Sequence, residues 1–122
     1  KANIAHGTCD LDYYQRAMSI LNSKFNNVKY FVFSDDIKWC KENLKINSVI
    51  YVDSEEERDP CEDIYLMSLC RHNIIANSSF SWWGAWLNKN NEKIVVTPKR
   101  WFDDNNLQKQ SISLIPEAWI KV

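Results

Sequence analysis

The sequence predicts an α/β fold, a small doubly wound, Rossmann-like parallel sheet with helices on both faces. Three observations carry that prediction. Segments of helix period and strand period alternate along all 122 residues. The strand segments, among them KYFVF (29–33), SVIYV (48–52) and KIVVT (93–97), lack hydrophobic/polar alternation, as expected where both faces are covered. No repeat, low-complexity tract or linker interrupts the pattern, so 1–122 reads as a single domain, long enough for a real core.

The elements follow in order. A helix over 10–22 places Tyr14, Ala17, Met18 and Leu21 at i, i+3, i+4 and i+7. The aromatic, β-branched strand 29–33 leads into Ser34, Asp35 and Asp36. A second helix, 35–44, carries Ile37, Cys40 and Leu44 on one stripe, and its acidic start suits the helix dipole. Strand 48–52 and an acidic loop, 53–58, come next. Helix 59–70 is the best marked: Asp59 as N-cap, Pro60 at the first position and Glu62 two residues later form a capping-box signature. NIIA (73–76) is a buried strand, 80–88 a tryptophan-rich helix, and 93–97 a strand ended by Pro98. Residues 100–111, rich in Asp, Asn and Gln, read as loop, and 119–122 as a short last strand.

Composition excludes several functions. The net charge is −1 and only four arginines occur, so a nucleic-acid partner is not expected. Cys9, Cys40, Cys61 and Cys70 show no CxxC spacing and only two histidines exist, which argues against a zinc site. The cysteines are read as buried thiols of a reducing compartment. No apolar run reaches membrane-span length, and the first residues, Lys1-Ala2-Asn3, form no signal peptide. Gly7 and Gly84 are the only glycines, so a Gly-rich phosphate loop is excluded. A phosphate here must be held by other means.

In doubly wound sheets ligands bind at the carboxyl ends of the strands. That rule selects three loops: 34–36, 53–59 and 77–79. The turn at Ser78, Ser79 and Phe80 joins a buried strand to a helix start, where free N–H groups and the helix dipole favour an anion. The alternative is that Ser79 or Ser81 is simply an N-cap. Phe80, Trp83, Gly84 and Leu87 share one side of that helix, with Trp82, Ala85 and Trp86 on the other. An all-round apolar helix is expected to be core, with Gly84 allowing close approach to the sheet. Asp63 shares a face with Leu66, Met67 and Cys70. A carboxylate there needs a donor, such as a backbone amide or the N1–H and 2-amino groups of guanine, unless it serves only the helix dipole. Asp35 and Asp36 have the wrong spacing for a metal-binding DxD pair. Capping by Ser34 or Asp35 is expected, with one aspartate facing the cleft as the alternative. The residues alone reach an α/β domain with an anion site, not a reaction.

The stretches YFVFSDD, EDIYLMSLCRHNIIANSSFSWWGAWLN and VVTPKRWF, with HGTCDLDYYQRAM before them, resemble the C-terminal region of the α-1,2-fucosyltransferases of glycosyltransferase family 11. The resemblance covers almost the whole chain. It implies the C-terminal, donor-binding half of a GT-B-type enzyme. Such enzymes transfer L-fucose from GDP-fucose to the 2-hydroxyl of a terminal galactose, with inversion and without a metal or other cofactor. Carried over by position, Asp63 matches the residue expected to hold the guanine edge. Ser78, Ser79 and Phe80 match the turn expected at the diphosphate, and Asp35 and Asp36 match the family's SDD.

The family's HxRRGDY motif, whose arginine is expected at the leaving phosphate, does not occur in these 122 residues. The expectation is therefore a C-terminal fragment, inactive alone, that self-associates through the surface left by the other half. Only Asp35, Asp36 and His6 offer themselves as the general base. Galactose-terminated glycans are the expected acceptors, in protein glycosylation or carbohydrate metabolism. The expected location is bacterial cytoplasm, peripheral to the inner membrane, with the Golgi lumen as the alternative. A non-catalytic α/β nucleotide-binding or interaction module, and a transferase with another acceptor, are the competing readings.

Overall fold

The computed structural model describes residues 9–52, 59–101, 107, 109 and 114–122. His6, the acidic loop 53–58 and most of the loop 100–111 lie outside the described residues. The order is α1 (Leu11–Lys24), β1 (Tyr30–Phe33), α2 (Ile37–Asn43), β2 (Val49–Val52), α3 (Pro60–Ser68), β3 (Asn73–Ile74), α4 (Ser79–Trp86), β4 (Val95–Thr97) and β5 (Ile120–Lys121). Every predicted helix and strand is present and the chain is α/β, but Leu107 and Lys109, inside the predicted loop 100–111, are helical.

Among the described residues all the strand pairs are parallel, but they form two sheets rather than one. β1 pairs with β2, and β3, β4 and β5 lie side by side in that order. α1 bridges the two sheets with side chains. The Tyr30 hydroxyl at the start of β1 donates to Asn22 Oδ1 (2.8 Å), with the Met18 carbonyl 3.2 Å away. Phe25, just past the end of α1, stacks on His72 at the start of β3, with ring centroids 4.5 Å apart. Both strands therefore begin at the C-terminal end of α1.

The three-stranded sheet has helices on both faces, as predicted. On one face Val96 packs with Cys9, Tyr13 and Ala17 of the α1 region. On the other, Ile75 and Val95 pack with Ala85 of α4, Trp101 and Trp119. Each buried aliphatic side chain contributes about 1.5–3 kcal/mol. Tyr13 pins α1 to the strands: its hydroxyl donates to the Ile75 carbonyl (2.5 Å), with the Val96 carbonyl 3.1 Å away. Burial pushes its pKa far above the ordinary phenol value. The two-stranded sheet is less covered, because Phe31 and Ile50 sit opposite each other in register and both are exposed.

The tryptophan helix departs from expectation. Ser81, Gly84 and Ala85 are buried, but Trp83 is 47% and Trp86 50% exposed. A helix of this hydropathy is buried only where a neighbour covers it. The sheet takes its Ala85 side, α3 takes its Gly84 side, and the remaining face is open. Gly84 approaches α3, not the sheet. A Cβ on Gly84 would lie 2.9 Å from both Met67 Cβ and Met67 Cε. The thiols also differ from expectation. All four are free, but only Cys9 and Cys40 are buried, while Cys61 is exposed in the first turn of α3.

Candidate functional site

The helix starts decide what each strand-end loop offers. At α2 the N-cap is Asp36, not Ser34 or Asp35. Its side chain accepts from Trp39 N (3.1 Å), and its own N–H donates to Ser34 Oγ (3.0 Å). The residue in the cap is the one whose backbone turns from extended into helix, and Asp35 precedes that point. Asp35 remains exposed beside it.

At α3 the N-cap is Asp59 with Pro60 next, as predicted. The cap bond runs to Cys61 N (3.0 Å), and Glu62 N bonds the Asp59 carbonyl (2.9 Å). Among the described residues the Asp59 side chain bonds Cys61 N rather than Glu62 N, and the Glu62 side chain makes no return bond to Asp59 N, so the N-cap is present but the predicted capping box is not formed. Glu62 and Asp63 both stand in the first turn. Asp63 is half-buried, one turn before Met67.

At α4 the N-cap is Ser78, not Ser79 or Ser81. Ser78 Oγ accepts from Ser81 N (3.2 Å) and lies 2.8 Å from Ser81 Oγ, which also donates toward the Ala76 carbonyl (3.1 Å). Two hydroxyls are thus consumed in holding the turn. Ser79 is exposed. The amides of Ser79 and Phe80 fall at the first two helical positions, which have no acceptor within the helix. The first turn contains no acidic residue. The far end is closed by Lys93, whose ammonium donates to the Ala85 and Asn88 carbonyls at 2.8 Å each. The partial positive charge at the start of α4 therefore meets no acidic side chain in its own first turn, while the partial negative charge at its end is met by Lys93.

Asp63 and the α4 start are at the same end of the molecule. Asn88 Nδ2 donates to the Cys70 carbonyl (2.7 Å) and Asn90 Nδ2 to the Arg71 carbonyl (2.9 Å), which ties together the chain leaving α3 and α4. The two helices meet at Met67 and Gly84 and run parallel. Asp63 lies one turn before Met67 and Phe80 one turn before Gly84. The SDD turn is linked to this end through α1. Tyr14, whose pKa burial pushes up, stands between Cys9 and Cys40. Ser34 lies near Cys40 and partly offsets the burial that raises its thiol pKa, and Cys9 donates to Asn77 Oδ1 (3.8 Å). Sequence reasoning places Asn77 in the strand-end loop 77–79 but gives its side chain no separate task. The only signal is a polar residue between an apolar strand and a pair of serines, and it is 8% exposed. No group of three or more His, Cys, Asp or Glu among the described residues could hold a metal ion.

The described residues form an α/β domain in which the α4 start, with no acidic residue in its first turn, lies at the same end as the acidic first turn of α3. The model of Glycosyl transferase family 11 matches residues 1–122, and the chain belongs to that family. It is 41% identical to the O-antigen biosynthesis glycosyltransferase WbnK of Escherichia coli, over 96% of this chain and 38% of that protein. It is 42% identical to an alpha-1,2-colitosyltransferase of Escherichia coli, over 96% of this chain and 40% of that protein. With galactoside 2-alpha-L-fucosyltransferase SEC1 of Bos taurus the identity is 28%, over 64% of this chain and 22% of that protein. The chain spans about two-fifths of the length of the bacterial relatives. No solved structure matches it. No helix among the described residues is long and apolar enough to cross a membrane.

Proposed function

We propose that this chain is the donor-binding part of a GT-B-type glycosyltransferase that uses GDP-fucose. The observation that carries the proposal is the pairing of opposite helix starts at one end of the molecule. The α4 start offers the amides of Ser79 and Phe80, the Ser79 hydroxyl and uncompensated dipole charge to a diphosphate. Asp63, at the α3 start, accepts from the N1–H and 2-amino groups of guanine. Transfer forms a bond from an acceptor hydroxyl to the anomeric carbon as the bond from that carbon to the diphosphate oxygen breaks. The leaving GDP takes the electron pair, and a base takes the hydroxyl proton. The α4 start stabilises the charge that develops on the diphosphate. Asp35 is exposed at the neighbouring strand end and is the aspartate of the SDD pair left for the cleft, since Asp36 is held as a cap.

The acceptor in this reading is the 2-hydroxyl of a galactose-terminated glycan, as in the relative named a galactoside 2-alpha-L-fucosyltransferase. A second reading keeps the site and changes the sugar. The relative that is 42% identical across the chain is named an alpha-1,2-colitosyltransferase, so the transferred sugar would be colitose. Both readings place transfer in a longer protein at the cytoplasmic face of a membrane. Isothermal titration with GDP, ADP and UDP tests what they share. GDP binding at least about tenfold tighter than ADP or UDP supports it, as a site built for guanine's donors predicts. Equal affinities, or no binding of GDP, contradict it.

A further inference from the structure

Asn77 is the residue between β3 and the α4 cap, and its side chain reaches both neighbours of the turn. Its Oδ1 accepts from the Cys9 thiol (3.8 Å), at the entry to α1. Its Nδ2 donates to the Trp101 carbonyl (3.2 Å), in the chain that leaves β4. Both bonds are buried. They span 68 and 24 residues of sequence. Each anchored neighbour is itself fixed: Cys9 packs with Tyr13, Ala17 and Val96, and Trp101 packs with Ile75, Ala85 and Val95. A hydrophobic residue at 77 would fill the space but make neither bond. An exposed loop residue would leave the turn free to rotate about its one strand connection.

We infer that Asn77 is a positioning residue for the anion site: it fixes the direction in which the Ser79 and Phe80 amides point. The inference rests on the donor-binding reading above and goes beyond it in naming what aims the donors. The physical reason is that amides bind an anion well only when held along its oxygen directions. Misplacing a binding group by about 1 Å can cost on the order of a hundredfold. Two crossed hydrogen bonds from one planar amide resist rotation of the turn, which a single bond does not. The effect is specific to the diphosphate, because Asp63 is held by α3 and not by Asn77.

The test compares GDP with guanosine, which carries the base and no phosphate. In the 122-residue chain Asn77→Ala is expected to weaken GDP about tenfold while leaving guanosine unchanged. Cys9→Ala removes one of the two bonds and is expected to give a smaller loss in the same direction. It also serves if Asn77→Ala does not fold. The stability control is Tyr30→Phe, which removes a hydroxyl that ties β1 to α1 away from the turn and is expected to alter neither affinity. Unchanged GDP affinity in folded Asn77→Ala, or in Cys9→Ala where only that variant folds, overturns the inference. So does an equal loss for GDP and guanosine, which marks a merely structural role. A parent chain that binds guanosine but not GDP overturns the inference and leaves the guanine contact standing. A parent chain that binds neither overturns the donor-binding reading itself.

Discussion

α3 and α4 begin at the same end of the molecule, run parallel and touch at Met67 and Gly84, yet their first turns are built in opposite ways. α3 starts Asp59-Pro60-Cys61-Glu62-Asp63 and brings its own negative charge to the dipole. α4 starts Ser78-Ser79-Phe80-Ser81 and brings none. A helix whose first turn is already neutralised offers acceptors to a ligand; one left open offers donors. Side by side, the two starts form a surface that accepts hydrogen bonds at one edge and gives them at the other. A nucleoside diphosphate with a donor-rich base has that polarity. The comparison also shows why neither start alone is diagnostic: each is an ordinary cap, and the proposed ligand needs both.

The largest expected effect comes from making α4 resemble α3. Ser79→Glu places a carboxylate in the first turn of α4. It should stabilise the fold by about 0.3–1 kcal/mol in thermal denaturation. Yet it should weaken GDP binding on the order of a hundredfold by calorimetry, since a charge now faces the diphosphate. A gain in stability with a loss of binding separates the site from the scaffold. Making α3 resemble α4 comes next. Asp63→Asn should cost GDP about tenfold to a hundredfold, the loss of a charged hydrogen-bond acceptor, and bring its affinity close to that of ADP.

Separating the two helices is a smaller effect and reads out in stability. Gly84→Ala puts a methyl 2.9 Å from Met67 Cβ, which cannot swing away as the Met67 terminus can. Overpacking of this kind costs about 1–3 kcal/mol, against about 1 kcal/mol gained in helix propensity, so Tm should fall. Ser78→Ala removes the α4 cap and should cost about 1 kcal/mol. Hydrogen exchange should then speed up in the first turn of α4 and not in α3.

The smallest effect is remote from both starts. Ile94 N donates to His72 Nδ1 (3.0 Å), so His72 is neutral in the fold, and burial with Arg71 nearby lowers its pKa. The unfolded chain therefore takes up the proton first. The stability this bond supplies is complete above the ordinary histidine pKa, about 6.5, and declines as pH falls below it. His72→Gln keeps an acceptor but cannot titrate, and should flatten that decline in denaturant titrations from about pH 7.5 to about 5, a span that brackets the ordinary value.

How much of this is legible in the sequence depends on whether the signal is local. The α3 start is local, and Asp59-Pro60 reads correctly because a cap and a missing N–H are properties of adjacent residues. The caps of α2 and α4 are not legible in the same way. SDD and NSS each offer several adequate capping residues, and backbone direction alone chooses Asp36 and Ser78. The exposure of Trp83 and Trp86 is hidden for a different reason. Hydropathy reports what a helix could bury, not how many neighbours arrive to cover it. The same holds for Gly84, whose need for space is legible while the identity of Met67 across from it is not. Asn77 is the extreme case, because Cys9 and Trp101, which its side chain bonds, lie far along the chain.

The central claim is that the open start of α4 and the acidic start of α3 act together on one ligand. Residue-resolved amide shifts on adding GDP to the isotopically labelled chain test it most directly. The account predicts simultaneous shifts at Ser79 and Phe80 and around Asp63, with pyrophosphate moving only the first group and guanosine only the second. GDP shifts confined to one helix start, or spread evenly over the chain, would contradict it.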